Sequence, residues 1–169
     1  MDSNGDRQVA ASGGTISIEA GGRLNNLEGV VNVTDSTLSV TVASHNGKTI
    51  TLNRAAGQAV TLPASTGGGA RFRFVVGTTI TSNTTTIKAA NASDSIQGFS
   101  TVVSDDSAAA KGFAATAGTD DTITLDGTTR GGYVGDVITV EDIAENRFQV
   151  EVVGRASGTE ATPFSATVP

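Results

Sequence analysis

The chain has 169 residues, a length that suits one domain, because a single core serves roughly 100–200 residues before chains divide. Its net charge is −6, from 11 Lys and Arg against 17 Asp and Glu. This balance excludes the clustered positive surface that tracks phosphates, so nucleic acid is not an expected partner. No run approaches roughly 18 apolar residues, and the opening MDSNGDRQVA lacks the basic and apolar blocks of a secretory signal, so a soluble protein with no membrane partner is expected. Cysteine is absent, which excludes disulfides and thiolate metal sites. With no Trp, one Tyr and six Phe, the core must rest on Val, Ile, Leu, Ala and a few phenylalanines. Such a core is thin for its length, and a partner interface would support it.

In chain order, residues 1–29 are rich in Gly, Asn and Ser, with one alternating run, TISIE at 15–19. They read as an extended N-terminal arm whose Ile16 and Ile18 add a strand to something else, and the packed domain spans 30–169. VVNVT at 30–34 and TLSVTV at 37–42 read as strands joined by a turn at Asp35 and Ser36, with Leu38, Val40 and Val42 on one face. KTITLN at 48–53 and QAVTLP at 58–63 alternate apolar and polar residues and read as a hairpin across a loop containing Gly57. Pro63 ends the second strand because it cannot donate to a ladder.

Gly67, Gly68 and Gly69 read as a flexible connector into RFRFVV, the strongest single strand, with Phe72, Phe74 and Val76 facing the core and Arg71 and Arg73 facing out. TTTIKAA at 84–90 is expected to return beside it. SIQGFSTVV at 95–103 reads as a further strand interrupted by Gly98. The stretch 105–117, DDSAAAKGFAATA, balances a turn of helix against a loop and strand, and Gly112 with Phe113 favours the latter. TITLDG at 122–127 echoes KTITLN, although two short matches among Thr-rich strands arise easily by chance. GDVITVEDIAENRFQVEVVG provides two strands, 136–141 and 147–153, around a loop from Asp142 to Asn146. The tail from 157 carries two prolines and reads as extended, docked through Phe164. The pattern is all-β: one β-sandwich or short β-barrel with an extended N-terminal arm and C-terminal tail.

Few residues offer chemistry. Gly47-Lys48-Thr49 matches the end of a phosphate-binding loop, but the glycine required five positions earlier is Val42, so Asn46-Gly47 reads as a tight hairpin turn. His45 is the sole histidine, and no G-x-S-x-G elbow accompanies it, so a solvated turn histidine is expected rather than a catalytic base. Paired acids occur at Asp105-Asp106, Asp120-Asp121 and Glu141-Asp142. Asp120, Asp121 and Asp126 could supply oxygens to calcium, but the EF-hand spacing is missing, and acids at strand ends usually form turns. No catalytic, cofactor-binding or metal-binding residue is therefore assigned.

The succession ITLNRAAGQAVTLPASTGGGARFRFVVGTTITSNTTTIKAANASDSIQGF, then DTITLDGTTRGGYVGDVITVEDIAENRFQVEVVG and TEATPFSAT, resembles the head decoration, or cement, proteins of tailed phages. The resemblance covers about residues 48–168 and rests on a pattern of strands and turns rather than on a chemical motif. It implies a non-enzymatic structural protein on the outer surface of an icosahedral virion head, which it binds and stabilises in many copies. The implied partners are the major capsid protein and the chain itself, with a homotrimer ahead of a dimer. The arm would contact the shell or a sister subunit through Ile16 and Ile18, with Arg7 and Arg23 available to pair with acidic groups. The alternative is a host-recognition β domain of tail-fibre or adhesin type. Glycan binding there would call for exposed loop aromatics, and Tyr133 in GGYVG is the one that fits.

Overall fold

A computed structural model of the protein describes residues 29–106 and 109–169. The expected arm strand at 15–19, with Arg7, Ile16, Ile18 and Arg23, lies outside the described residues. Twelve strands and one helical turn follow in order: β1 (Val30–Val33), β2 (Thr37–Ser39), α1 (Val42–His45), β3 (Thr49–Leu52), β4 (Ala59–Thr61), β5 (Arg71–Val76), β6 (Thr85–Lys88), β7 (Ser95–Ser104), β8 (Ala110–Ala114), β9 (Thr122–Leu125), β10 (Val137–Ala144), β11 (Arg147–Ala156) and β12 (Phe164–Ser165). They form a seven-stranded sheet, β1-β3-β5-β10-β11-β7-β8, and a five-stranded sheet, β12-β9-β6-β4-β2. The two sheets share one buried apolar cluster between them, which makes the all-β domain a sandwich.

The first half of the chain changes sheet at every strand. β1, β3 and β5 pair in parallel in the larger sheet, and β2, β4 and β6 pair in parallel in the smaller one. The chain therefore winds as a short parallel coil around its core. This corrects three expectations. KTITLN and QAVTLP do not form a hairpin, because β3 and β4 lie in opposite sheets. β1 and β2 are likewise divided between sheets, and TTTIKAA does not return beside RFRFVV, whose neighbours are β3 and β10. The corners supply the physical reason. The Gln58 side chain is buried and donates to the carbonyls of Val33 (3.2 Å) and Asp35 (2.7 Å), while its own amide donates to Thr85 Oγ1 (3.2 Å). One residue thus ties three successive corners, and each strand enters the sheet opposite the one it left. Gly57 completes this corner with φ +76, and a Cβ there would lie 2.3 Å from the Thr84 carbonyl oxygen.

The second half closes the sandwich with antiparallel pairs. β10 and β11 form the expected hairpin, with β10 starting one residue later than expected and running on to Ala144 and β11 running on to Ala156, and β10 also pairs antiparallel with β5. β7 then runs parallel to β11, with β8 antiparallel at its far side, which bears out the loop-and-strand reading of 105–117. β9 adds to β6, and β12 adds to β9.

Register stacks the apolar residues in columns. In the smaller sheet Leu38, Val60, Ile87, Ile123 and Phe164 lie in line, so the tail docks through Phe164 as expected. In the larger sheet Ile50, Phe74, Ile138 and Val152 form one column, and Phe72, Val140 and Val150 another. Phe72 and Phe74 are fully buried between the sheets. Burying each large apolar side chain contributes roughly 1.5–3 kcal/mol, so these columns carry most of the folding energy.

Other expectations change near α1. The second strand stops at Ser39, and Val42 opens the helical turn exposed to solvent rather than facing the core. Thr41 caps that turn, with its side chain accepting from the Ser44 amide (3.3 Å). His45 is buried, not solvated, and its Nδ1 accepts from the Thr41 amide at 3.0 Å. Asn46-Gly47 consequently follows a helical turn instead of joining a hairpin. The glycines 67–69 are not a free connector either. Gly67 and Gly68 donate their amides to the Asp142 carboxylate (2.7 and 3.1 Å), and the Gly69 amide donates to the Asp142 carbonyl (2.9 Å).

Candidate interaction surface

Because side chains alternate across a strand, filling the core with one set of residues fixes what the other set presents outward. On the outer face of the seven-stranded sheet, two rows cross every strand. One runs Val30, Thr49, Arg73, Thr139, Glu151, Phe99, Ala114, and the other runs Asn32, Thr51, Val75, Val137, Val153, Thr101, Gly112. Threonine and valine hold three of the seven places in the first row and five of seven in the second. This placement accounts for the threonine: it holds strand geometry while its hydroxyl tolerates water.

The β8 side of this face is the most apolar. Phe99 is 47% exposed, Val103 55% and Val153 48%. On β8, Ala114 lies opposite Phe99, Ala110 opposite Val103, and Gly112 opposite Thr101, the neighbour of Val153, so β8 brings little or no side chain to cover the patch. Among the described residues β8 is also an edge strand, with no neighbour along its outer side. An exposed apolar patch next to an open edge suits contact with another folded surface. Elsewhere the face mixes Val30, Val75 and Val137 with polar groups: Arg71 pairs with Glu141 at 3.0 Å, and Arg73 reaches Thr49 Oγ1 at 3.4 Å. Phe99 and Val103 were not singled out from the sequence. Their signal was present in SIQGFSTVV, where both alternating sets contain apolar residues, as in a strand that is covered on both sides.

The acidic residues mostly build turns. Asp142 accepts from Ser65 Oγ (2.8 Å), the Thr66 amide and hydroxyl (3.1 Å each), and the Gly67 and Gly68 amides. Burial pushes its carboxyl up, but these donors together outweigh it and hold the group below the usual carboxylate range. Asp126 behaves likewise, with burial opposed by the Arg130 and Thr128 amides and the Thr129 hydroxyl. Asp136 has the opposite outcome: burial raises it and prevails over the Gly132, Tyr133 and Arg155 amides.

Asp120, Asp121 and Asp126 do not converge. Asp121 precedes β9 and Asp126 follows it, which separates them by the length of a four-residue strand. Asp121 accepts from Thr122 Oγ1 and the Thr167 and Val168 amides, and Asp120 accepts from the Thr116 amide. The carboxylates of Asp105, Asp106 and Glu160 do approach within 4.8 Å of one another. That cluster carries its own cation, since Lys111 Nζ pairs with Glu160 and holds its carboxyl down at about 2. The Ser104 hydroxyl meets Asp106 at the same place.

Tyr133 is half-buried. Arg155 stacks over its ring at 5.1 Å, and its hydroxyl meets Ser157 Oγ at 2.7 Å. The two residues line an open recess of about 270 Å³ with Val103, Ser104, Asp105 and Ala156. Among the described residues no helix is long and apolar enough to cross a membrane. No family model, curated protein or solved structure matches the chain.

Proposed function

We propose that this chain is a structural protein that decorates the outer surface of a tailed-phage head, binding the major capsid protein in many copies and stiffening the shell. The reading starts from the sequence resemblance across residues 48–168. The observation that carries it furthest is the exposed Phe99, Val103 and Val153 patch beside the open β8 edge, a surface shaped for laying against folded neighbours rather than for enclosing a small molecule. Many modest contacts repeated over a symmetric shell give strong net attachment without one deep pocket. Clustering as trimers at local symmetry axes would further stabilise a chain with few large core residues. In the arm, Arg7 and Arg23 are available to pair with acidic groups of the shell.

The test is occupancy of heads stripped of this protein. Phe99→Asp and Val153→Asp place charge in the patch with little effect on the buried columns. Both variants should fold as the parent does and occupy heads at least tenfold more weakly at equal concentration. Undiminished occupancy by both would refute this surface as the contact.

The second reading is host recognition. The recess with Tyr133 as its one aromatic wall favours it, because a ring edged by Arg155, Ser157 and Asp105 can meet a sugar face and its hydroxyls. Binding of bacterial surface glycans that is abolished by Tyr133→Ala would support this reading over decoration.

A further inference from the structure

Among the described residues, three carboxylates converge at one place, where Asp105 and Asp106 at the end of β7 meet Glu160 from the segment between β11 and β12. The two aspartates are exposed, whereas the Glu160 side chain is 0% exposed. Each acid is placed by one of its oxygens. Asp105 Oδ1 accepts from the Gly158 amide (3.1 Å), Asp106 Oδ1 meets the Ser104 hydroxyl, and Glu160 Oε2 meets Lys111 Nζ. The second oxygen of Glu160, Oε1, is buried and accepts from no group among the described residues. A buried acceptor without a donor bears the full cost of its lost hydration, and charge makes that cost larger, so such an atom calls for a ligand.

The charge balance indicates what kind. Three carboxylates face one another within 4.8 Å, and Lys111 supplies a single positive charge against them, which leaves the cluster at −2. A divalent cation balances that remainder. Donor type narrows the choice, since the group holds neither histidine nor cysteine and hard oxygen donors suit calcium or magnesium rather than a transition metal. Spacing narrows it again. Oxygens at about 2.3–2.6 Å from one calcium lie within about 4.6–5.2 Å of one another, whereas magnesium at about 2.0–2.1 Å draws them within about 4.2 Å. The separation of up to 4.8 Å falls in the calcium range.

We propose that Asp105, Asp106 and Glu160 form a calcium site, with Glu160 Oε1 as its buried ligand and Lys111 as the resident cation with which the metal competes. Calcium takes about six to eight oxygens, so water and backbone carbonyls complete its shell. The ion enters from the exposed side, where Asp105 also borders the recess beside Tyr133. Lys111 is 46% exposed and can turn out to water, because the arriving ion takes over its role of neutralising buried Glu160. The bound metal joins the end of β7 to the segment that leads into β12 and so stabilises the C-terminal part of the fold. With two exposed ligands and a lysine in competition, the expected Kd is roughly 10⁻⁴–10⁻³ M. This inference concerns the chain alone and holds whether or not the protein decorates a head.

Calorimetric titration of the full-length protein, freed of divalent ions by chelation, with calcium chloride tests it. One calcium should bind saturably in that range and raise the thermal midpoint, with a smaller response to magnesium and none to sodium chloride at equal ionic strength. Asp105→Asn with Asp106→Asn leaves the buried Lys111–Glu160 pair in place and should weaken calcium binding at least tenfold. Lys111→Met removes the competitor and should tighten calcium binding at least tenfold, a gain that a merely structural ion pair would not give. The proposal is overturned by an absence of saturable binding up to about 10 mM, tenfold above the weak end of the expected range. It is equally overturned by an equal response to magnesium, or by calcium affinity that the paired aspartate substitutions or Lys111→Met leave unchanged.

Discussion

Phe74→Ala tests the packing that the whole fold depends on. Phe74 is 0% exposed and lies in register between Ile50 on β3 and Ile138 on β10, where the parallel coil meets the antiparallel half. A phenylalanine side chain buries about 150–250 Å², of which truncation to alanine removes roughly 100–150 Å². At about 25 cal/mol per Å² this costs about 2.5–4 kcal/mol in lost burial. Strands on both sides are held by ladders and cannot collapse inward, so a residual cavity adds about 1 kcal/mol at roughly 24 cal/mol per Å³. The expected loss is about 3–5 kcal/mol, read by urea denaturation as a lower midpoint with an unchanged slope. The same change at half-exposed Phe99 should cost less than about 1 kcal/mol. A loss below about 1 kcal/mol at Phe74, or equal losses at the two positions, would refute this assignment of inner and outer faces.

Three further outcomes are expected. Gly127→Ala should destabilise by more than about 2 kcal/mol in thermal denaturation, because residue 127 has φ +74 and a Cβ there would lie 1.9 Å from the Ile80 carbonyl oxygen. Asp142→Ala should cost about 2 kcal/mol or more, since it leaves the Thr66, Gly67 and Gly68 amides without their side-chain acceptor, and faster amide exchange at 66–68 should accompany it. In acid, Asp142, Asp126 and Glu160 all have folded values below their unfolded ones, so their stabilisation is present above about pH 4 and is lost as pH falls through the folded values. Asp136 has the reverse sign, favouring the fold only while protonated and losing that contribution as pH rises through its raised value. Three groups against one predict a denaturation midpoint that drops steadily below about pH 4, and a midpoint that rises there would contradict the assignment.

Alternation made the individual strands legible. RFRFVV, TITL at 122–125 and the long 136–153 hairpin each show which face is buried, and Phe72, Phe74 and Phe164 are inside as their periods require. Pairing was less accessible. Two alternating runs separated by a glycine-bearing loop look the same whether they turn back as a hairpin or cross to the opposite sheet. What selected the coil was Gln58, a polar residue at a strand entrance whose role depends on carbonyls 23 and 25 residues away. No constant repeat announced it, because successive strands of the smaller sheet are offset by 22 residues from Thr37 to Ala59 and 27 from Ala59 to Thr86, and those of the larger by 19 from Val30 to Thr49 and 24 from Thr49 to Arg73. His45 was misplaced for a related reason: a polar turn composition conceals that the ring folds back onto the Thr41 backbone. The outward patch was hard to see because SIQGFSTVV has apolar residues in both alternating sets, and which set faces out is settled only once β8, with its alanines and glycine, lies beside it.

The most direct test of the decoration reading is the number of copies of this chain per major capsid protein in purified heads, measured by quantitative mass spectrometry. The account predicts a copy number comparable to that of the capsid protein. A handful of copies per particle would point to a fibre, and heads devoid of the protein would contradict the account.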